Sequence, residues 1–268
     1  MSPPSPSSSD PAGEDLGVTG LLGALAFLTR LPVRTSRSLD TAGSVPWFPI
    51  VGLLIGALVG GTAVLLEPWA SPAVAAGVAI VVGLLISGCF HEDGLGDVAD
   101  AFVGGWTVED RLRILKDSRH GTYGVAAIVS SISLRFVALG SLVAVGPKVA
   151  FIGAVAAHGL ARIAAVGTML TARPASGQGL GSEYVTGLRR PPSLAGIVVG
   201  VAIVALVGGW WTAVAVATVI VTTVMVTVWS RRKIGGFSGD VLGAIEQCGE
   251  VAVLIVISMI AGHHPPWW

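Results

Sequence analysis

"SPAVAAGVAIVVGLLISGCF", residues 71–90, is twenty residues without a charge, and "HEDGLGDVADAFVGG", residues 91–105, follows at once with four carboxylates in nine positions. A helix crossing a hydrocarbon core of about 30 Å needs roughly 20 apolar residues. The first stretch therefore reads as a membrane span and the second as its mouth. Six more stretches have the same character: 48–67, 121–145, 149–171, 193–208, 210–229 and 242–262. An earlier piece, "VTGLLGALAFLTRLPV" at 18–33, has sixteen residues and ends in Arg30 and Pro32, which fits an interfacial or re-entrant helix. The predicted fold is all-α, a polytopic transmembrane helix bundle of about seven spans. It forms a single integral-membrane unit over 18–268, preceded by a Pro- and Ser-rich tail over 1–17 that reads as disordered.

Composition agrees. The chain is 53% hydrophobic and 12% charged with mean hydropathy +0.79, against about 25% charged residues in a soluble domain. Thirty-seven glycines suit helices that pack closely in lipid. Spacings such as Gly52–Gly56–Gly60 serve either a homo-oligomer or packing within one subunit. Net charge is zero, so nucleic acid is not an expected partner. Cys89 and Cys248 offer neither a disulfide framework nor a CxxC metal site and are expected as buried free thiols. The N-terminal "MSPPSPSSSDPAGED" lacks the basic region of a signal peptide.

Sidedness follows from the cations. Thirteen of the sixteen basic residues, from Arg30, Arg34 and Arg37 through Arg111–Arg119, Arg173, Arg189, Arg190 and Arg231–Lys233, lie in loops on one side. Only Lys148 falls in an opposite loop. The positive-inside rule places the N-terminus and these loops in the cytoplasm, with the chain multi-pass in the plasma (inner) membrane. The acids share that side.

On a helix, Asp97 lies about 40° from Asp93 and Asp100 about 20° to the other side. Three carboxylates on one stripe repel unless a cation or protons compensate. Hard oxygen donors of this kind suit Mg²⁺, which bridges to substrate phosphates. Glu92 is a further candidate ligand, His91 can orient a carboxylate or phosphate, and Gly94 and Gly96 are expected to leave open backbone for a bulky ligand. Zinc fits less well, because "HEDGL" lacks the second histidine of HExxH. The plainer alternative is that these acids solvate a loop and cap a helix.

The second acidic stretch is "KIGGFSGDVLGAIEQCGE", 233–250. Asp240 stands where a helix N-terminus can be capped. Glu246 and Glu250 lie deeper, inside the last span, where carboxylates are costly and face a bundle interior or an aqueous cavity. The third is "RLRILKDSRHGTYGVAAIV", 111–129, in which Arg119, His120 and Gly121 open a helix suited to phosphate. Arg111, Arg113 and Lys116 serve equally as a positive-inside anchor. Arg135, His158 and Arg162 sit in apolar spans, either neutralising buried acids or lining a cavity.

"FLTRLPV", "WFPIVGLLIG", "HEDGLGDVADAFVGG", "KDSRHGTYGV" and "GGFSGDVLGAIEQCGE", in this order, resemble the adenosylcobinamide-GDP ribazoletransferase (cobalamin 5′-phosphate synthase) family over essentially the whole chain after residue 18. The resemblance implies a Mg²⁺-dependent membrane enzyme of late cobalamin biosynthesis. Its partners would be adenosylcobinamide-GDP and α-ribazole or its 5′-phosphate, with GMP released. It implies roles for His91, Glu92, Asp93, Asp97 and Asp100, and for Asp240, Glu246 and Glu250. Asp93, Asp97 and Asp100 are expected on Mg²⁺. Asp240 or Glu246 would take the acceptor's proton or, like Glu250, join a metal. Arg119 would contact phosphate. Ser238 stands where a threonine is common. The rivals are a CDP-alcohol-type phosphotransferase, whose DGxxAR pattern does not occur here, and a cation- or proton-coupled transporter.

Overall fold

The computed structural model of the protein describes residues 15–33, 41–175 and 184–267. The tail expected over 1–17 lies outside them for residues 1–14, as do Arg34 and Arg37. In chain order the helices are α1 (Asp15–Leu28), the short α2 (Thr41–Ser44), α3 (Phe48–Leu66), α4 (Pro72–Ser87), α5 (Phe90–Ala99), α6 (Val108–Ile114), α7 (Thr122–Val145), α8 (Pro147–Thr171), α9 (Arg190–Gly208), α10 (Trp211–Ile234) and α11 (Gly239–Ala261). The structure is 82% helical and has no strands among the described residues. Six helices are long and apolar enough to cross a membrane: Thr41–Leu66, in which α2 leads into α3, and α7 to α11.

The seventh crossing departs from expectation. The apolar run 71–90 is not one helix. Gly88 (φ 64°) caps the C-terminus of α4 in the left-handed region, and Cys89 (φ 58°) follows it there. A helix cannot propagate through two such residues, so α5 restarts at Phe90. Together α4 and Phe90–Gly104 form a pair bent by 89°. Sixteen residues of α4 span about 24 Å; the bend turns the acidic motif sideways at the end of that path. Cys89 is exposed rather than buried, since it sits on this corner, and both cysteines are free.

The end of α1 braces the corner. Thr29 Oγ1 donates to the Leu25 carbonyl at 2.6 Å, and the Arg30 N–H donates to the Ile86 carbonyl at 2.7 Å. Phe27 stacks on Phe48 (centroids 5.6 Å apart) and meets Phe90 edge-on at 5.1 Å.

Helix α8 is the axis of the bundle, small-residue-rich and buried along most of its length. Helix α3 lies against it through three glycines. A Cβ at Gly52 would stand 2.7 Å from the His158 carbonyl oxygen, at Gly56 2.6 Å from that of Ala154, and at Gly60 2.9 Å from Phe151 Cα. Lipid tails are as apolar as leucine, so close backbone approach rather than hydrophobic burial holds such helices together. The Gly52–Gly56–Gly60 stripe is thus consumed inside the protomer. Large apolar side chains such as Val74, Val81 and Leu85 of α4, and Ile220, Val224 and Met225 of α10, are exposed and form the outer shell expected against lipid.

Candidate active site

Helix α5 carries acids on two sides, and the two sets have different partners. On the open side, His120 Nε2 lies 3.2 Å from Asp93 Oδ1, and His120 Nδ1 lies 3.4 Å from Asp97 Oδ1. One ligand-type atom from each of the three residues falls within 4.8 Å of the others. Asp93 is well exposed and Asp97 only 13% so. Asp240, on the first turn of α11, is close enough to interact with the charges of both. Its carboxylate accepts from the Ser238 hydroxyl at 3.2 Å, and it is Ser238, not Asp240, that caps α11 by accepting from the Val241 N–H.

Gly94 makes that approach possible: a Cβ there would stand 2.9 Å from the Asp240 carbonyl oxygen. Gly96 faces Ile128 Cδ1 and the His120 ring, with a Cβ 3.0 Å from His120 Cε1. Neither glycine presents the open backbone expected for a ligand; both are spent on packing α5 against α11 and α7. Asp100 lies one turn on, where α5 widens into a π-helical turn over Asp100–Gly104. Its Oδ2 accepts from the Gly121 N–H at 2.6 Å and its Oδ1 from the Gly124 N–H at 2.9 Å. Helix α7 has no side-chain cap of its own, so Asp100 supplies one from a distant part of the chain, with its charge on the positive end of the helix dipole.

Arg119, expected on phosphate, has its partner within its own loop. Arg119 forms a bidentate pair with Asp117 (Nε to Oδ1 3.0 Å, Nη2 to Oδ2 2.9 Å), with its side chain 86% exposed. The Arg119 guanidinium and N–H hold the Asp117 carboxyl down at about 2. Arg111 donates to the carbonyls of Gly105, Trp106 and Lys233, tying the α5–α6 turn to the end of α10.

On the inner side of α5 is a buried ionic network. Glu92 Oε1 meets Arg135 Nη2 at 2.7 Å, and Arg135 Nη1 meets Glu250 Oε2 at 3.0 Å. Glu250 Oε1 also pairs with Arg162 and, at 2.7 Å, with His158 Nδ1. Glu246 Oε2 meets His91 Nε2 at 2.7 Å and Arg162 Nε at 3.1 Å. These seven side chains come from α5, α7, α8 and α11 and are all buried. The structure therefore brings His91, Glu92, Glu246 and Glu250 together with one another, but apart from Asp93 and Asp97. Arg135 and Arg162, whose role the sequence left open along with that of His158, pair with these acids, and His158 contacts Glu250. Two members of the buried polar set were not singled out from sequence: Ser131 donates to Gln247 Oε1 at 2.9 Å. The signal for Gln247 was its place beside Glu246 in "IEQCGE".

A cation fits the open centre by donor chemistry: two carboxylates and an imidazole converge there, with Asp240 adjacent. In the inner network the guanidinium groups of Arg135 and Arg162 already stand against the carboxylates, which disfavours a cation there.

Comparison with known proteins bears on what this centre does. The family model described as cobalamin-5-phosphate synthase matches residues 20–258. The adenosylcobinamide-GDP ribazoletransferase of Shewanella frigidimarina (strain NCIMB 400) is 36% identical over 246 residues, covering 87% of this chain and 92% of that one. That of Ralstonia pickettii (strain 12J) is 35% identical over 237 residues, covering 86% and 91%. A third, from Shewanella sp. (strain W3-18-1), is 32% identical over 254 residues, covering 89% and 93%. No solved structure matches the chain. The family match spans both acidic stretches and the membrane-crossing helices up to the last turn of α11, and the chain belongs to the cobalamin-5-phosphate synthase family.

Proposed function

We propose that this chain is a multi-pass membrane transferase of cobalamin biosynthesis. It joins adenosylcobinamide-GDP to α-ribazole or its 5′-phosphate and releases GMP. The observation that carries this reading is the open Asp93–Asp97–His120 centre, with Asp240 beside it, in a chain matching the family over 20–258.

In the reaction an acceptor hydroxyl oxygen forms a bond to the phosphorus next to the corrinoid's aminopropanol arm. The bond from that phosphorus to the oxygen bridging to GMP breaks, GMP leaves, and the hydroxyl proton must be taken up. Such transfers depend on neutralising charge and aligning the two oxygens more than on covalent help. Asp93 and Asp97 would hold Mg²⁺, which supplies charge neutralisation on the diphosphate when bound. Asp240 is better placed than Glu246 to accept the proton, because Glu246 is already committed to His91 and Arg162. The inner network ties α5 to α7, α8 and α11 and so fixes the helix that presents Asp93 and Asp97. The basic loops gather at this same end of the bundle, which supports a cytoplasmic active site in the inner membrane. The arginines paired with Glu92, Glu246 and Glu250 weigh against the cation-coupled transporter reading.

The test is GMP release by detergent-purified protein given both substrates, with Mg²⁺ and then with EDTA. Release that needs both substrates and stops with EDTA is the expected result. No release from folded protein supplied with lipid would reject the reading.

A further inference from the structure

We propose that His120 is a side-chain ligand of the divalent-cation centre, and that Asp100 acts as a positioning residue that places it rather than as a ligand. This rests on the cation-dependent reading above but concerns which side chains build the centre.

Three features of the chain carry it. Two ligand atoms each about 2.1 Å from one ion stand about 3.0 Å apart at an octahedral right angle and about 3.4 Å apart at a tetrahedral one. A histidine binds one ion through one nitrogen, so only one of the two separations, 3.2 Å from Nε2 to Asp93 Oδ1 or 3.4 Å from Nδ1 to Asp97 Oδ1, lies between ligand atoms, and either falls in that range. A ligating histidine ordinarily gives its second ring nitrogen to a carboxylate, and here both ring nitrogens have a carboxylate oxygen beside them. Second, both Asp100 oxygens are taken by the Gly121 and Gly124 N–H groups. The α7 backbone closes so tightly on this carboxylate that a Cβ at Gly121 would stand 2.7 Å from Oδ1, and one at Gly124 would collide with Oδ2. Third, His120 directly precedes Gly121. A cap on Gly121 fixes the backbone that carries the imidazole, and Gly96 leaves the flat space on which the ring rests, with its hypothetical Cβ 3.1 Å from Nδ1. The motif's three aspartates thus divide: two face the ion and the third reaches it through α7.

An imidazole in the donor set makes Mn²⁺ bind more tightly than Mg²⁺, and Mn²⁺ reports its ligands by electron paramagnetic resonance. The experiment titrates Mn²⁺ into purified wild type, His120→Gln, Asp100→Asn, Gly96→Ala, Asp93→Asn and Asp97→Asn, and records nitrogen coupling to the bound ion by spin-echo modulation. Circular dichroism and thermal unfolding confirm that each variant is folded. Wild type is expected to bind Mn²⁺ with ¹⁴N coupling. His120→Gln loses the coupling and weakens binding about tenfold. Asp93→Asn and Asp97→Asn abolish binding. Asp100→Asn and Gly96→Ala, which keep every proposed ligand, diminish the nitrogen coupling and weaken binding about tenfold. Wild-type Mn²⁺ without nitrogen coupling would overturn the role of His120, as would failure of folded wild type to bind Mn²⁺. Loss of all binding in Asp100→Asn, as in Asp93→Asn, would make Asp100 a ligand and overturn its positioning role. GMP release from the same wild-type sample is scored separately: bound Mn²⁺ with nitrogen coupling but no transfer would reject the reaction and leave the site standing.

Discussion

Glu92 and Asp93 are neighbours in the chain and belong to different chemistry. Glu92 is buried with Arg135 Nη2 at 2.7 Å, and Asp93 is exposed with His120 Nε2 at 3.2 Å. Removing one partner of a buried ion pair leaves the other charge uncompensated, at a cost of about 3 kcal/mol or more. Glu92→Gln should therefore lower thermal stability in detergent by about that much. Asp93→Asn should change stability by about 0.5 kcal/mol or less while GMP release falls about 100-fold or more. If the two variants lost stability and turnover in parallel, the division of α5 into two sides would be wrong.

The close contact of α3 and α8 has a built-in control. Gly56→Ala places a methyl 2.6 Å from the Ala154 carbonyl oxygen and 2.8 Å from Val155 Cα, both backbone atoms. Overpacking of this kind costs about 1–3 kcal/mol. Gly61→Ala meets nothing within 4 Å and should lie within about 0.5 kcal/mol of wild type. Unfolding midpoints of the two variants in one detergent decide the matter.

Gly94→Ala tests how far turnover depends on the distance between α5 and α11. The added methyl would stand 2.9 Å from the Asp240 carbonyl oxygen and 3.0 Å from its Cα. It must push Asp240 from Asp97 by tenths of an ångström or more. Misplacement of a catalytic group by about 1 Å costs about 100-fold, so kcat should fall by between about 10- and 100-fold. KM for each substrate measured alongside separates lost alignment from lost binding.

The Asp117–Arg119 pair predicts a pH response outside the centre. Asp117 is held down at about 2 from an ordinary value of 3.8. Because the folded value is the lower one, the pairing is fully present above the ordinary value and is lost as pH falls through about 2. Across the working range the pair stays closed. Arg119→Ala should return the Asp117 titration, followed by carboxyl ¹³C shifts, to near 3.8 and leave turnover within about twofold, as expected for an exposed pair. A large fall in turnover would put Arg119 on substrate phosphate after all.

Much was legible from residues alone. Seven apolar stretches, one-sided cations and two acid-rich segments fall directly out of hydropathy and charge, because lipid demands long uncharged helices whatever their partners. The break at Gly88–Cys89 was not legible. Cys89 is no ordinary breaker, and the corner is stabilised by contacts from Phe27 of α1 and from Arg30 just beyond its end, both distant in sequence. The Gly52–Gly56–Gly60 stripe announced close packing, yet only the position of α8 decided that the partner lies in the same chain.

The acids show the same boundary. Helical periodicity by itself put Asp93, Asp97 and Asp100 on one stripe, and the stripe exists. What each carboxylate does depends on groups far away in sequence: Arg135 for Glu92, Arg162 for Glu250, His120 for Asp97, and the Gly121 and Gly124 amides for Asp100. Composition and period determine that a residue sits in a membrane helix and at what azimuth, since both follow from local geometry and solvent. Which azimuth meets an arginine, an amide or open water is set by the packing of four helices, and a carboxylate's charge is governed by whichever of these it meets.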